Sequence, residues 1–438
     1  MISDIGAPSR PRFRLPDIFR RYRYAAAALD QMALSIFGFA LNLVLLRTLS
    51  ATDYGIVSLW MTMSLFAVSV QSALVLGPLN IYLPATAEPE DARRLNAALA
   101  TVNLVAVLAT ATLAGIVNLV GHGEWAAHNA LTAIAIPLFV AAGMYREYYR
   151  STAFSRRDMA LLLWVDGPYL AVTTVCLAAM MLWPQRFADL ATAFLAMTVG
   201  CLISQICVRV RGRDGTERGL FGKGWLRSYR RISGEVAWSL VGVVANHAEN
   251  RSYVYIATSL AGMASLAAIN AVGILFRPVS VLVNAWGQSA LPQLSAALAN
   301  DRHDEFVRTL IRALGATAIG SLALAVALRL LWTPIAQELL AGKYPEGILL
   351  LWPWAAASAA SVLRYIAGIG LMAAREFKFL AKAQTVCGVL AAAATAAFIL
   401  WHGYTAAMWG IALGNGACFA WGMLQLRHVR RRTRSAAR

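Results

Sequence analysis

Long apolar runs separated by short polar stretches repeat along almost the whole chain. A transmembrane helix takes about 20 residues, and twelve runs reach that length. We predict spans at 25–46, 54–82, 95–120, 130–149, 159–183, 189–208, 235–258, 264–290, 307–331, 348–373, 379–401 and 405–426. Because strands of transmembrane barrels alternate in polarity instead, the pattern predicts an all-α polytopic membrane protein.

The composition supports this prediction and excludes two other classes. Of 438 residues, 59% are hydrophobic and 14% are charged, against roughly half and a quarter in soluble globular domains. The apolar excess argues against a soluble enzyme and against a disordered chain. The five cysteines lie in apolar runs without metal-ligand spacing, so we expect no metal site.

The basic residues indicate how the spans are oriented. The formal net charge is +17, from 39 Lys and Arg against 22 Asp and Glu. With a cytoplasmic N-terminus, 32 of the 39 fall on the cytoplasmic side, where Arg146 and Arg150 are counted in the loop after span 4. The positive-inside rule therefore predicts that both termini are cytoplasmic. We expect these residues to attract anionic lipids, and we expect no binding to nucleic acid.

A central basic loop divides the spans into two sets of six. We predict a cytoplasmic basic arm (1–24), an N-lobe of spans 1–6 (25–208), a cytoplasmic inter-lobe loop (209–234), a C-lobe of spans 7–12 (235–426) and a basic cytoplasmic tail (427–438). Leu83-Pro84 recurs as Leu291-Pro292 at an offset of 208. Since six is an even number, both halves insert in the same sense, which favours a transporter with a central cleft.

Three short motifs resemble those of polysaccharide-lipid flippases. They are Leu45-Leu46-Arg47-Thr48-Leu49-Ser50 running into Asp53-Tyr54-Gly55, then Ala290-Leu291-Pro292-Gln293-Leu294-Ser295, and then Leu339-Leu340-Ala341-Gly342-Lys343-Tyr344. Ala51-Thr52 replaces the acidic residue or proline usual in the first junction. The chain thus resembles the O-antigen and exopolysaccharide translocases of the multidrug/oligosaccharidyl-lipid/polysaccharide exporter superfamily.

This resemblance implies a V-shaped bundle of two lobes in a bacterial inner membrane, alternating between inward-open and outward-open states. The implied cargo is an undecaprenyl-diphosphate-linked oligosaccharide, moved from the cytoplasmic to the periplasmic leaflet for surface polysaccharide synthesis. The expected partners are this lipid, the membrane lipids, and a polysaccharide polymerase with its chain-length regulator. We expect no cofactor, and the expected energy source is a proton or sodium gradient or the membrane potential.

Polar residues inside the spans are the candidate functional residues, because an ionisable group in a bilayer is costly. The candidates are the cleft cations Arg251, Arg277, Arg364 and Arg47, the gating or coupling groups Asp30, Glu249, His247 and Asp166, the polar cleft residues Asn246, Asn250 and Tyr255, and the hinge Pro278. At helical spacing His247, Arg251 and Tyr255 share one face of span 7. This face lines either a wet cavity or a tightly paired interface.

Arg277 and Pro278 lie at the centre of span 8. A proline there frees backbone carbonyls and kinks the helix, and a guanidinium binds phosphate oxygens in a bidentate manner. Two interpretations stay open: Arg277 binds the diphosphate, or it pairs with Glu249 across the contact of spans 7 and 8. Asp30 either pairs with a basic residue as an inner gate or carries a proton.

Two other functions compete with the flippase. A cation-coupled multidrug exporter of the same fold needs a net acidic cleft, whereas the deep spans here offer more arginines than carboxylates. A membrane-embedded glycosyltransferase or polymerase needs a large extramembrane loop, and the longest predicted outer loop is about 15 residues. We therefore predict a flippase and not an enzyme.

Overall fold

Twelve long helices make up most of the described part of the chain in this computed structural model. It describes residues 23–83, 86, 88–120, 130–156, 158–211, 220–222, 224–300 and 302–436. Ten of the helices are α1 Arg23–Thr48, α2 Ala51–Ile81, α3 Pro89–Val120, α4 Ala130–Ser155, α5 Met159–Leu182, α6 Leu190–Val210, α9 His303–Leu330, α10 Gly347–Ala373, α11 Phe377–His402 and α12 Ala407–Ala436. Almost all of the predicted basic arm, Pro84, and 212–219 of the inter-lobe loop lie outside the described residues.

The remaining two helices, α7 and α8, follow one another without a loop. The helical stretch Ser233–Ile274 changes direction at Gly262, where φ is 83° and ψ is 174°; glycine adopts such a φ without strain. We call 233–261 α7 and 263–274 α8a, and the helix Arg277–Ala299 is α8b. Span 8 is therefore split at the turn 275–276, immediately before Arg277 and Pro278.

Each predicted span overlaps one of these helices. By length and hydropathy alone, ten of the described helical stretches could cross a membrane, and they comprise α1 to α6, the joined α7 and α8a, and α9 to α11. The chain is therefore a multi-pass membrane protein. The sequence analysis counted Arg146 and Arg150 with the loop after span 4, but α4 runs to Ser155, so both lie inside a helix.

The two lobes, α1–α6 and α7–α12, share a core at one end of the bundle. We call the end where α1 begins the inner end and the opposite end the outer end. Near the outer end one apolar cluster joins both lobes, with Leu46 and Tyr54 packed into the same core as Met263, Leu266 and Ile269. Toward the inner end the clusters formed by the described residues belong to one lobe each. The bundle is therefore V-shaped, closed at the outer end.

The two lobes pack tightly where α2 crosses α8a. A Cβ atom at Gly55 would lie 2.1 Å from the carbonyl oxygen of Met263, so only glycine fits at this crossing. Ser50 caps α2 by accepting a hydrogen bond from the Asp53 N–H at 3.1 Å, which fixes where the helix begins. The junction motif around Tyr54 and Gly55 therefore serves the contact between lobes.

Lys343, in the segment between α9 and α10, binds the end of α1. Its Nζ donates to the carbonyl oxygens of Leu46, Arg47 and Leu49 at 3.4, 2.6 and 2.7 Å. A helix leaves its last carbonyls without intrahelical partners and with partial negative charge, so a cation there is stabilising. Because α1 and Lys343 belong to different lobes, this contact fastens the outer end.

We expect Lys343→Met to weaken the outer contact by about 1–2 kcal/mol, since it removes charged hydrogen bonds to a helix end. The measurement is the distance between spin labels at positions 47 and 337, one exposed position on each lobe, in a background without the five native cysteines. The distribution should gain longer distances. Lys378→Met, at an exposed lysine on α11, should leave it unchanged. Identical distributions in both variants would contradict a fastening role for Lys343.

Candidate functional site

A polar cavity of about 260 Å³ lies inside the C-lobe among α7, α8, α10 and α12. We call it the arginine cavity. Its lining includes the cations Arg251 and Arg277, the amides Asn250 and Asn270, the hydroxyls Ser280, Ser358 and Ser361, and the aromatic rings of Tyr253, Phe276 and Trp354. Two fixed positive charges and several amide and hydroxyl groups therefore line one cavity.

The two arginines of this cavity have no carboxylate partner among the residues that the structure describes. Arg251 is half-buried, and Arg277, the first residue of α8b, is exposed to the cavity. Arg277 is the first residue of α8b, and the N-terminal end of a helix carries partial positive charge. The arrangement is suited to an anion.

An aromatic wall lies at the turn that precedes Arg277. Trp354 of α10 stacks on Phe276 with ring centroids 6.4 Å apart, and it meets Tyr253 edge-on at 5.8 Å. A Cβ atom at Gly273 would lie 2.5 Å from the Trp354 ring, so α8a fits against α10 only with glycine there. The wall therefore fixes the turn from which α8b and Arg277 start.

The face of α7 predicted from helical spacing is present. His247 Nε2 and the Tyr255 hydroxyl are 2.8 Å apart, two turns apart on the same helix and on either side of Arg251. Phe66 of α2 packs on the His247 ring with a centroid distance of 4.4 Å. Since Phe66 belongs to the N-lobe, this contact joins the lobes near the middle of both helices, below the shared core.

Glu249 pairs with Arg364 and not with Arg277. The carboxylate is fully buried, and its Oε2 lies 3.2 Å from Arg364 Nη1. Arg364 Nη2 also donates to Asn250 Oδ1 at 3.3 Å. The pairing with Arg277 that the sequence left open is wrong, because Glu249 lies on the side of α7 that packs against Gly388 of α11.

A second cavity of about 180 Å³ adjoins Arg364. Apart from Arg364, Asn246, Tyr365 and Gln384, its lining consists of small and apolar side chains from α10, α11 and α12. We call it the apolar cavity. Two of the predicted site residues, Asn246 and Arg364, thus lie beside an apolar space, while Asn250, Arg251 and Arg277 line the arginine cavity.

The N-lobe buries a network of ion pairs. Asp166 of α5 accepts hydrogen bonds from Arg146 and from Arg150 Nε, the latter at 2.8 Å. Arg150 Nη2 lies 3.2 Å from Asp30 of α1, and its Nη1 lies 3.2 Å from Glu147. The side chains of Asp166 and Asp30 are 2% and 7% exposed. Both predicted acidic residues of this lobe therefore have arginine partners.

Sequence reasoning assigned Arg146 and Arg150 to membrane orientation and missed this network. They lie four residues apart, so both guanidinium groups project from one face of α4 toward α5. Arg146 also covers the Tyr169 ring at 3.8 Å. The sequence signal for this network was the four-residue spacing of Arg146 and Arg150 at the end of an apolar run.

Other residues fall outside both cavities or were not predicted. Arg47 is exposed at the outer end of α1, where its carbonyl oxygen accepts a hydrogen bond from Lys343.

Asn270 and Trp354 line the arginine cavity, and the sequence analysis did not predict either residue. The indole N–H of Trp354 donates to the Ile269 carbonyl at 2.6 Å.

Comparison with known proteins identifies the fold. No family model and no curated protein sequence matches the chain. An inward-facing multidrug resistance MATE transporter of the MOP superfamily aligns over 93% of this chain and 99% of its own, with 12% identity and a TM-score of 0.69. Lipid II flippase MurJ in an inward closed conformation aligns over 91% and 87%, with 11% identity and a TM-score of 0.69.

A third similar structure is a MOP superfamily transporter from Pyrococcus furiosus whose binding pocket is described as having reverse polarity. It aligns over 93% of this chain and 94% of its own, with 11% identity and a TM-score of 0.51. These similarities confirm the predicted fold: an all-α polytopic bundle of two six-helix lobes, as in MATE transporters and in the superfamily that the motifs resemble.

The buried N-lobe network predicts a large stability effect for Asp166→Asn. Removing one partner of a buried ion pair leaves uncompensated charge and costs about 3–5 kcal/mol. Glu90→Gln breaks the exposed ion pair in which Arg94 Nε lies 3.2 Å from Glu90 Oε1. This change should cost about 0–1 kcal/mol. Thermal unfolding of the purified variants, followed by tryptophan fluorescence, measures both. Equal melting temperatures would contradict the assigned network.

Proposed function

We propose that this chain, which has the fold of MOP superfamily transporters and flippases, moves a polyprenyl-diphosphate-linked oligosaccharide across the bacterial inner membrane. The observation that carries the proposal is the pair Arg251 and Arg277 in the arginine cavity. Guanidinium groups that line a cavity between membrane spans favour an anionic or strongly hydrogen-bonding partner. A diphosphate offers two charged groups whose oxygens match the planar fork of arginine.

The charge of the surroundings supports an anionic cargo over a cationic drug. Within the described helices, four carboxylates that lie between spans are already paired with arginines: Asp30, Glu147 and Asp166 with Arg146 and Arg150, and Glu249 with Arg364. A cationic cargo would therefore meet the two arginines without a free carboxylate to bind it.

The shape of the bundle supports a direction of entry. The lobes share a core at the outer end and have separate cores at the inner end, so cargo enters between them from the inner end. Release requires the contacts at Gly55 and Lys343 to open. This sequence of events is alternating access, and it fits the two-lobed fold.

The membrane potential is a sufficient energy source for the proposed transport. Moving one negative charge outward across a membrane with an inside-negative potential of 100 mV is favoured by about 2.3 kcal/mol. We therefore favour the potential over a proton or sodium gradient. On the outer leaflet the oligosaccharide would be a precursor for O-antigen or exopolysaccharide, to be taken up by a polymerase with its chain-length regulator.

We expect Arg251→Gln and Arg277→Gln each to weaken binding of inorganic pyrophosphate by roughly ten- to a hundredfold, because each removes charge-assisted hydrogen bonds. Calorimetry on the purified protein in lipid nanodiscs measures the affinity. Arg308→Gln, at an exposed arginine of α9, is the matched control and should bind as the wild type does.

The same variants should abolish surface polysaccharide in a host that lacks its own copy of the protein, while Arg308→Gln restores it. Resistance to cationic dyes provides the contrasting readout. If both cavity variants export polysaccharide normally and lose dye resistance, the protein is a multidrug exporter and the proposal is wrong.

A further inference from the structure

The arginine cavity and the apolar cavity follow one another along the same face of α10. The first is lined by Trp354, Ser358 and Ser361, and the second by Arg364, Gly368 and Leu371. These positions recur every three or four residues, so they form one continuous stripe on the helix. The two cavities therefore lie end to end along α10 in the C-lobe, and we call them together the groove.

Two further helices show the same continuity. On α7, Asn250 lines the arginine cavity and Asn246 lines the apolar cavity; the two lie one turn apart, and Asn250 Nδ2 donates to the Asn246 carbonyl at 2.9 Å. On α12, Ile411 and Cys418 line the first and second cavity, two turns apart. Three helices thus carry the groove from one cavity into the other.

The polarity of the groove changes at Arg364. Toward the outer end it presents arginines, amides and hydroxyls. Toward the inner end it presents Ala367, Leu371, Leu380 and Ala383. Arg364 stands at the boundary with its charge balanced by Glu249. A groove that is cationic in one half and apolar in the other is complementary to an amphiphile with an anionic head.

We propose that the apolar cavity binds the isoprenoid units next to the diphosphate that occupies the arginine cavity. The inference rests on the proposed function, and it adds a site that selects a prenyl-linked diphosphate over a soluble one. Burial of hydrocarbon in a preformed apolar cavity gives affinity that free pyrophosphate or a nucleotide sugar does not gain.

Arg364 has a different role from the other two arginines in this proposal. Its Nη1 pairs with Glu249 and its Nη2 donates to Asn250, so in this proposal it borders the hydrocarbon as a neutralised pair and does not bind the diphosphate. The expectation from the sequence that Arg364 acts as a third cleft cation is therefore replaced by a positioning role between the two cavities.

Gly368→Leu is the variant that separates the two halves of the groove. A Cβ atom at Gly368 would meet its nearest neighbour, Leu380 Cδ2, at 3.9 Å, which is ordinary contact, so a leucine enters the apolar cavity without a backbone clash. Gly320→Leu is the matched control, because a Cβ atom there meets nothing within 4 Å on the exposed surface of α9.

The test compares geranyl diphosphate with inorganic pyrophosphate as ligands of the full chain in nanodiscs. Each buried methylene contributes roughly fourfold in affinity, so wild type and Gly320→Leu should prefer geranyl diphosphate by at least tenfold. Gly368→Leu should reduce the preference below threefold and leave pyrophosphate affinity unchanged. On the wild type, affinity should also rise from pyrophosphate through dimethylallyl diphosphate to geranyl diphosphate.

The possible failures are distinguishable. If the wild type binds neither ligand, the proposed function is overturned. If it binds both equally, as expected when a bilayer acyl chain fills the apolar cavity, the isoprenoid site is overturned and the diphosphate site stands. The isoprenoid site is also overturned, and the diphosphate site stands, if a folded Gly368→Leu protein keeps the full preference for geranyl diphosphate. The prenyl tail then binds elsewhere.

Discussion

A charged side chain inside a membrane needs an opposite charge or water, because its desolvation is not otherwise compensated. This constraint decides which residues of the protein are available to cargo. Over the described helices, arginines already pair with the intramembrane carboxylates in both lobes. Among the described residues, Arg251 and Arg277 line a polar cavity without such a partner, and our proposal that they bind an anion rests on that difference.

Helix α8 connects this site to the contact between the lobes. Its first part, α8a, packs against Gly55 of α2 at the outer end, and its second part, α8b, begins with Arg277. The aromatic stack of Phe276 and Trp354 lies at the turn between them. In the proposed transport cycle, opening the outer end would move α8a, and Arg277 begins the helix that follows it.

The sequence predicted the features that depend on local pattern. Hydropathy located the spans, helical spacing placed His247 and Tyr255 on one face, and Pro278 marked the interruption of span 8. It could not predict the partner of Glu249, because pairing depends on how α7 is rotated against α10 and α11. It also misplaced Arg146, since a count of basic residues does not distinguish a loop from the last turns of a buried helix.

The central claim is that Arg251 and Arg277 hold the anionic head of a lipid. A cryo-electron microscopy map of the protein in nanodiscs with a non-hydrolysable prenyl methylenediphosphonate tests it most directly. The account predicts density for both phosphorus groups between these two guanidinium groups. Density for the diphosphonate in the N-lobe or at the exposed Arg47, with the arginine cavity unchanged, would contradict it.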